Sequence, residues 1–211
     1  MENLKIYEDV LDSLLKGNRL ACENGMKEFR KSNSSIIALY EEIFKKSLYE
    51  IGQRWECNKI SVAVEHMATS ITEGLMNQLF PEIMSPERKN KKVIISCVEN
   101  EEHQIGGKMV ADIFEKNGWD AHYLGANTPM NELVKFCGLV KPDMIGLSLS
   151  VYSNVHFLLE EIATIRTVTN IPIMIGGQAL NDVGVELADR FTEVFYFRNL
   201  EAIESYIKGC A

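Results

Sequence analysis

Hydrophobic spacing divides the chain into two textures. Up to about residue 83 the apolar residues recur at intervals of three and four, with no proline before Pro81 and no alternating β-branched run. That is the pattern of amphipathic helix. Four helices are expected: near 3–16, closed by Gly17-Asn18; 19–31; 34–56, with Ser34 and Ser35 as cap candidates; and 60–80, opened by Ser61 and ended by Pro81. In the third, Ile36, Leu39, Tyr40, Ile43, Phe44, Leu48 and Ile51 form one stripe, and Trp55 continues it, which places the tryptophan at the end of a core-facing ridge. In the fourth, Val64, Met67, Ala68, Ile71 and Leu75 suit a core. Val62, Glu65, His66 and Thr69 gather on a neighbouring face that mixes charge with apolar surface.

Residues 85–91 are polar and include Pro86, the composition of a linker between a helical domain, 1–84, and a second domain, 92–211. From Lys92 onward short β-branched runs alternate with helical segments. Strands are expected near 92–98, 120–125, 143–149, 171–175 and 194–197, and helices near 104–117, 130–140, 154–168, 179–190 and 199–208. Five βα units imply a parallel five-stranded sheet with helices on both faces, a flavodoxin-like, Rossmann-type α/β architecture behind an N-terminal four-helix bundle. Ligands of such sheets sit outside the carboxyl ends of the strands, where the strand order reverses. The loops after strands one, three and four are therefore the places to look.

Composition narrows the function classes. The formal net charge of −8 leaves no general electrostatic footprint for nucleic acid, so direct nucleic-acid binding is not expected. Five cysteines (Cys22, Cys57, Cys97, Cys137, Cys210) stand singly, without a C-x-x-C pair, and read as reduced packing thiols. The N-terminus lacks the basic start and apolar run of a signal peptide, and no apolar stretch is long enough to cross a bilayer. A cytoplasmic protein without membrane contact is the expectation.

The loop after strand one reads Glu99-Asn100-Glu101-Glu102-His103-Gln104-Ile105-Gly106-Gly107. A histidine here projects from the ligand-binding edge of the sheet. Glu101 can accept its second ring proton, which fixes the tautomer and raises the basicity, as a metal-ligating imidazole needs. Strand three ends with Ser148 and Ser150, and strand four with Gly176-Gly177, where missing side chains open a slot. Taken singly, a surface histidine at a helix start, a capping serine and a turn of glycines are the plainer readings.

Together, Glu101-x-His103-x-x-Gly106, Ser148 and Gly176-Gly177 resemble the cobalamin-binding domain of methionine synthase and the corrinoid-dependent mutases, over residues 92 to 208. The resemblance implies that His103 replaces the cofactor's own base beneath cobalt and that the displaced nucleotide tail lies beside Ser148, Gly176 and Gly177. That family's usual aspartate is Glu101 here, and Ser150 stands where it often has leucine. In the helical half, Trp55 followed after nine residues by Glu65-His66 resembles the light-sensing adenosylcobalamin repressors and their stand-alone relatives, which also favour glutamate in the loop motif. This implies that Trp55 lies over the upper axial ligand, that Glu65 and His66 contact a 5′-deoxyadenosyl group, and that Val62 lines the same pocket.

The cofactor implied is cobalamin, as adenosylcobalamin or alternatively methylcobalamin. The function implied is a sensor or regulator that responds to light or cofactor state through a protein partner or self-association, rather than a stand-alone catalyst. Two departures bear on this. The residue after Trp55 is Glu56, where those repressors carry a second, cobalt-capturing histidine. Their helix-turn-helix domain also has no counterpart in the sequence. The first alternative is a corrinoid protein carrying a methyl group in a methyltransferase system; a haem sensor and a mutase are further rivals. His122 and His156 read as structural or solvent-facing, and nothing marks Cys57 or Cys97 as reactive.

Overall fold

The computed structural model describes residues 2–209 apart from Ser34, so the Ser34 cap and Cys210 lie outside the described residues. The chain forms two compact units, Met1–Pro81 and Glu82–Ala211. None of the described helices is long and apolar enough to cross a membrane.

The first unit is helical: α1 (Glu2–Leu15), α2 (Arg19–Ser32), a long helix made of α3 (Ile36–Ala38), a π-helical stretch (Leu39–Lys45) and α4 (Lys46–Glu56), and then α5 (Val62–Gln78). Ser35 caps the long helix, its Oγ accepting the Ala38 N–H at 3.2 Å. Leu39, Tyr40, Ile43, Phe44 and Ile51 are fully buried, each such side chain contributing on the order of 1.5–3 kcal/mol.

The π-helical stretch corrects the expected stripe. Its wider i→i+5 bonding inserts roughly one residue, which turns everything after it by about 100° relative to a regular helix. Ser47 therefore occupies the core, fully buried, while Leu48, expected there, is only half-buried. Trp55 is 39% exposed rather than core. A tight turn after it, with Asn58 at φ 55° and its N–H on Trp55 O at 2.8 Å, leads into α5. Pro81 does not simply end that helix, because a short α6 (Phe80–Ile83) runs through it.

The second unit carries β1 (Lys92–Cys97), α7 (Ile105–Lys116), β2 (Asp120–Gly125), α8 (Met130–Val140), β3 (Met144–Ser148), α9 (Val155–Val168), β4 (Ile173–Gly176), α10 (Gly184–Ala188), β5 (Val194–Tyr196) and α11 (Leu200–Gly209). The sheet is parallel throughout, in the order β2-β1-β3-β4-β5, the doubly wound architecture the alternation implied. The strand order reverses between β1 and β3. Their carboxyl-end loops, which start after Cys97 and Ser148, are thus neighbours at the position where such sheets take ligands. The core is aliphatic, with Ile94, Ile145 and Ile173 of the strands and Leu158 and Ile162 of α9 fully buried.

The polar stretch before β1 is fastened to this unit. Arg88 donates to Glu115 Oε2 at 2.8 Å, to Trp119 O at 2.6 Å and to Asp120 Oδ1. The single helix expected over 179–190 is instead a 3₁₀ turn, Gln178–Leu180, followed by the short α10. The turn-forming Asn181-Asp182 pair separates them, and α10 starts at Gly184, where a Cβ would lie 2.3 Å from the Tyr196 ring.

Candidate functional site

The loop from β1 to α7 is built around Glu101, which is completely buried. Its Oε1 accepts the His103 N–H at 2.9 Å and pairs with His103 Nδ1 at 2.6 Å. Its Oε2 accepts the N–H groups of Ser150 at 2.8 Å and Val151 at 2.9 Å, in the loop after β3. Burial pushes this carboxyl upward, but the His103 ring and amide and the two loop amides outweigh it, and the net pKa lies below the usual carboxylate value. An anion fixed by four donors is a rigid seat for an imidazole.

The His103 side chain is 44% exposed. With Nδ1 held by a carboxylate, the proton sits on that nitrogen, and Nε2 becomes the lone-pair donor in the neutral ring. Such an imidazole can ligate a metal presented from outside the sheet.

Ser148 and the glycines lie along the same edge. The register pairs Cys97 with Ser148 and Ser148 with Gly176, so the ends of β1, β3 and β4 are level. Gly177 has φ 117° and ψ 167°, and a Cβ there would sit 2.1 Å from Leu149 O. The fold itself requires glycine at this position. Gly106 differs: its Cβ would meet only Ser148 Oγ, at 3.7 Å, an ordinary contact. Nothing in the protein forces glycine at 106, an exposed position in the first turn of α7, which fits a group of some bulk lying against this backbone. Ser150 enters the site through its backbone amide.

The remaining candidates lie in the helical unit. Trp55 lies in the last turn of α4, while Val62, Glu65 and His66 occupy the first turn and a half of α5. Glu65 Oε1 accepts the Thr69 hydroxyl at 2.8 Å, and Glu65 Oε2 lies 3.6 Å from His66 Nε2. Val62 is 47% exposed, so this end of the unit shows apolar surface beside a carboxylate and an imidazole.

Neither His122 nor His156 joins the site. The His122 ring meets Phe136 edge-on at 5.9 Å, and His156 Nδ1 donates to Ser153 O at 2.8 Å. Burial, followed by the nearby acids, pushes the Cys97 thiol up to about 12, which leaves it protonated and unreactive at neutral pH. Sequence reasoning missed Glu161, a buried acid on α9 whose Oε1 accepts the Glu99 N–H at 2.8 Å. Its spacing from Leu158 and Ile165 on the buried face of α9 was the available signal.

A B12 binding domain model matches residues 91–196, and a second B12 binding domain model matches residues 6–79. The HTH-type transcriptional repressor CarH of Myxococcus xanthus is 23% identical over 145 residues, 68% of this chain and 48% of that protein. Dimethylamine corrinoid protein 1 of Methanosarcina acetivorans is 28% identical over 146 residues, 64% of this chain and 68% of that protein. In fold, the monomethylamine corrinoid protein of Methanosarcina barkeri superposes with a TM-score of 0.81 at 16% identity, covering 98% of this chain and 99% of that one. The chain spans about half the length of the repressor it matches.

Proposed function

Because this chain belongs to the B12 binding domain family and is a cobalamin-binding protein, we propose that it holds adenosylcobalamin with His103 as the lower cobalt ligand and acts as a sensor of light or of cofactor state. The observation that carries the lower half of this reading is the Glu101 carboxylate, buried and quadruply bonded, holding His103 Nδ1. In it His103 Nε2 takes the position of the cofactor's own base, Gly106 admits the corrin edge against backbone, and Ser148, Ser150, Gly176 and Gly177 border the displaced tail. When bound, the cofactor supplies a photolabile cobalt–carbon bond. The protein supplies orientation, a fixed ligand and the surface that reads the upper axial group.

Trp55 and Val62, two exposed apolar side chains near the end of α4 and at the start of α5, support adenosyl recognition. Glu65, held by Thr69, is positioned to accept from ribose hydroxyls, with His66 beside it. Signal output passes to a protein partner or to self-association. With Glu56 after Trp55, a second histidine ligand does not come from that position.

Dark reconstitution with adenosylcobalamin and with methylcobalamin, followed by green light and size-exclusion chromatography, tests the reading. Retention of the adenosyl form with light-dependent changes in spectrum and elution supports it. Trp55→Ala is expected to keep the cobalamin coordinated by His103 yet reduce the preference for adenosyl over methyl by up to about tenfold, the scale of one aromatic contact. A variant with unaltered preference removes Trp55 from the upper face. The second reading, a methyl carrier, draws on the fold shared with the monomethylamine corrinoid protein. Retention of methyl or hydroxo forms alone, without a change of assembly, favours it.

A further inference from the structure

Behind the loop that presents His103 lies a carboxyl that the cobalamin motif does not account for. Glu161 shares the inward stripe of α9 with Leu158, Ile162 and Ile165 and is 1% exposed. A buried carboxyl is unfavourable unless its environment uses it. Burial pushes this one up to about 7; the Glu99 amide opposes the rise and the Glu99 carboxylate adds to it. Oε1 accepts the Glu99 N–H at 2.8 Å. Oε2 is buried without a hydrogen-bond partner among the described residues. Among the described residues, the one hydrogen bond of this core acid is therefore to the amide of the second residue of the loop that carries Glu101 and His103.

The loop has other restraints: the Val98 N–H donates to Ser148 O at 3.1 Å, and the buried Glu101 carboxylate ties the loop to the Ser150 and Val151 amides. The Glu99 carboxylate accepts the Met130 N–H at 3.3 Å. Asn127 Oδ1 accepts the Asn100 N–H at 2.9 Å, and Asn154 Nδ2 donates to Asn100 O at 3.0 Å. Asn100 itself is left-handed, at φ 66°, so the chain reverses sharply between the Glu161 anchor and Glu101. The Met130 and Asn100 contacts are exposed or half-buried, whereas Glu161, like Glu101, holds the loop from a buried position.

We propose that Glu161 is a positioning residue for the cobalt ligand: by holding the Glu99 amide it fixes the turn that leads to Glu101, and thereby the direction in which the loop presents His103. An apolar residue of similar size would fill the core equally well. It would, however, leave the Glu99 N–H without an acceptor, and the loop would move toward water to satisfy it. This role rests on the cobalamin reading above, since it concerns how His103 meets cobalt.

The test uses the full chain with Glu161→Leu and, as the conservative rescue, Glu161→Gln, which keeps an acceptor of the same reach. Two quantities are read: amide hydrogen exchange across 98–104 in the cofactor-free protein, and the fraction of bound cob(II)alamin whose electron-spin spectrum shows imidazole nitrogen coupling. For Glu161→Leu, loop exchange is expected to accelerate about tenfold or more with β1 and β3 unchanged, and the coupled fraction to fall. Glu161→Gln is expected to match the parent in both. Unchanged loop exchange with full coupling in the leucine variant overturns the assignment, as does acceleration spread evenly through the sheet, which marks a merely structural role. If the parent chain retains no cobalamin, the cobalamin reading fails, and loop exchange alone decides whether Glu161 is the anchor.

Discussion

Gly177→Ala is expected to destabilise the α/β unit by about 3 kcal/mol or more, whereas Gly106→Ala leaves its stability within about 0.5 kcal/mol or raises it slightly. At 177 two penalties combine. The backbone, at φ 117° and ψ 167°, lies in a region essentially reserved for glycine. A Cβ would also sit 2.1 Å from a main-chain oxygen of the β3 loop, and that oxygen, fixed in the Leu149 backbone, cannot swing aside as a flexible side chain would. At 106 the backbone is helical, the nearest neighbour is an ordinary contact, and alanine is the better helix former by roughly 1 kcal/mol. The order reverses for ligand binding: Gly106→Ala is expected to weaken cobalamin retention in a protein that melts normally. Thermal melts of the two variants, followed by cobalamin titration of Gly106→Ala, measure both effects. Equal affinity for parent and Gly106→Ala would show that no ligand lies against this backbone.

The second large effect is on pH dependence. The folded protein keeps a proton on Glu161 up to about pH 7, where an ordinary carboxylate would have released it near 4.5. Stability from this group is therefore complete below the unfolded pKa and declines as pH rises through the folded one, by about 3 kcal/mol in all. Glu101 has the opposite sign: its lowered pKa contributes stability above the ordinary carboxylate value that is lost as pH falls through the folded value. Glu161→Gln, uncharged throughout, is expected to match the parent near pH 4 and to exceed it by up to about 3 kcal/mol at pH 8. Denaturant titrations at the two pH values read this difference. A gap that stayed constant with pH would mean that Glu161 titrates as an ordinary carboxylate.

Much of the architecture could be read from spacing alone. The alternation of β-branched runs with helical segments after Lys92 implies parallel strands, and a doubly wound sheet brings the loops after β1, β3 and β4 to one edge wherever its helices begin and end. That is why Glu101, His103, Ser148 and Gly176 could be grouped beforehand, and the Glu101–His103 pairing follows from their separation by one residue. The errors have a different origin. A helical wheel advances by a fixed angle, so one residue inserted by the π-helical stretch exchanges Ser47 for Leu48 in the core and brings Trp55 out to the surface. Apolar spacing over 179–190 suits one helix, but the turn preference of Asn181-Asp182 divides it. Glu161 reads as solvated by its charge, although its position in the stripe of Leu158, Ile162 and Ile165 places it inside. The roles of Trp55, Glu65 and His66 rest on resemblance together with their exposure.

The central claim, that His103 is the lower ligand of cobalt, is tested most directly by the electron-spin spectrum of the cob(II)alamin-loaded protein grown with ¹⁵N-histidine. If His103 has displaced the cofactor's own base, labelling converts the nitrogen triplet on each cobalt line into a doublet, and His103→Ala abolishes the splitting. A triplet that survives labelling would mean that the cofactor keeps its own base, and it would contradict the ligand assignment on which the account depends.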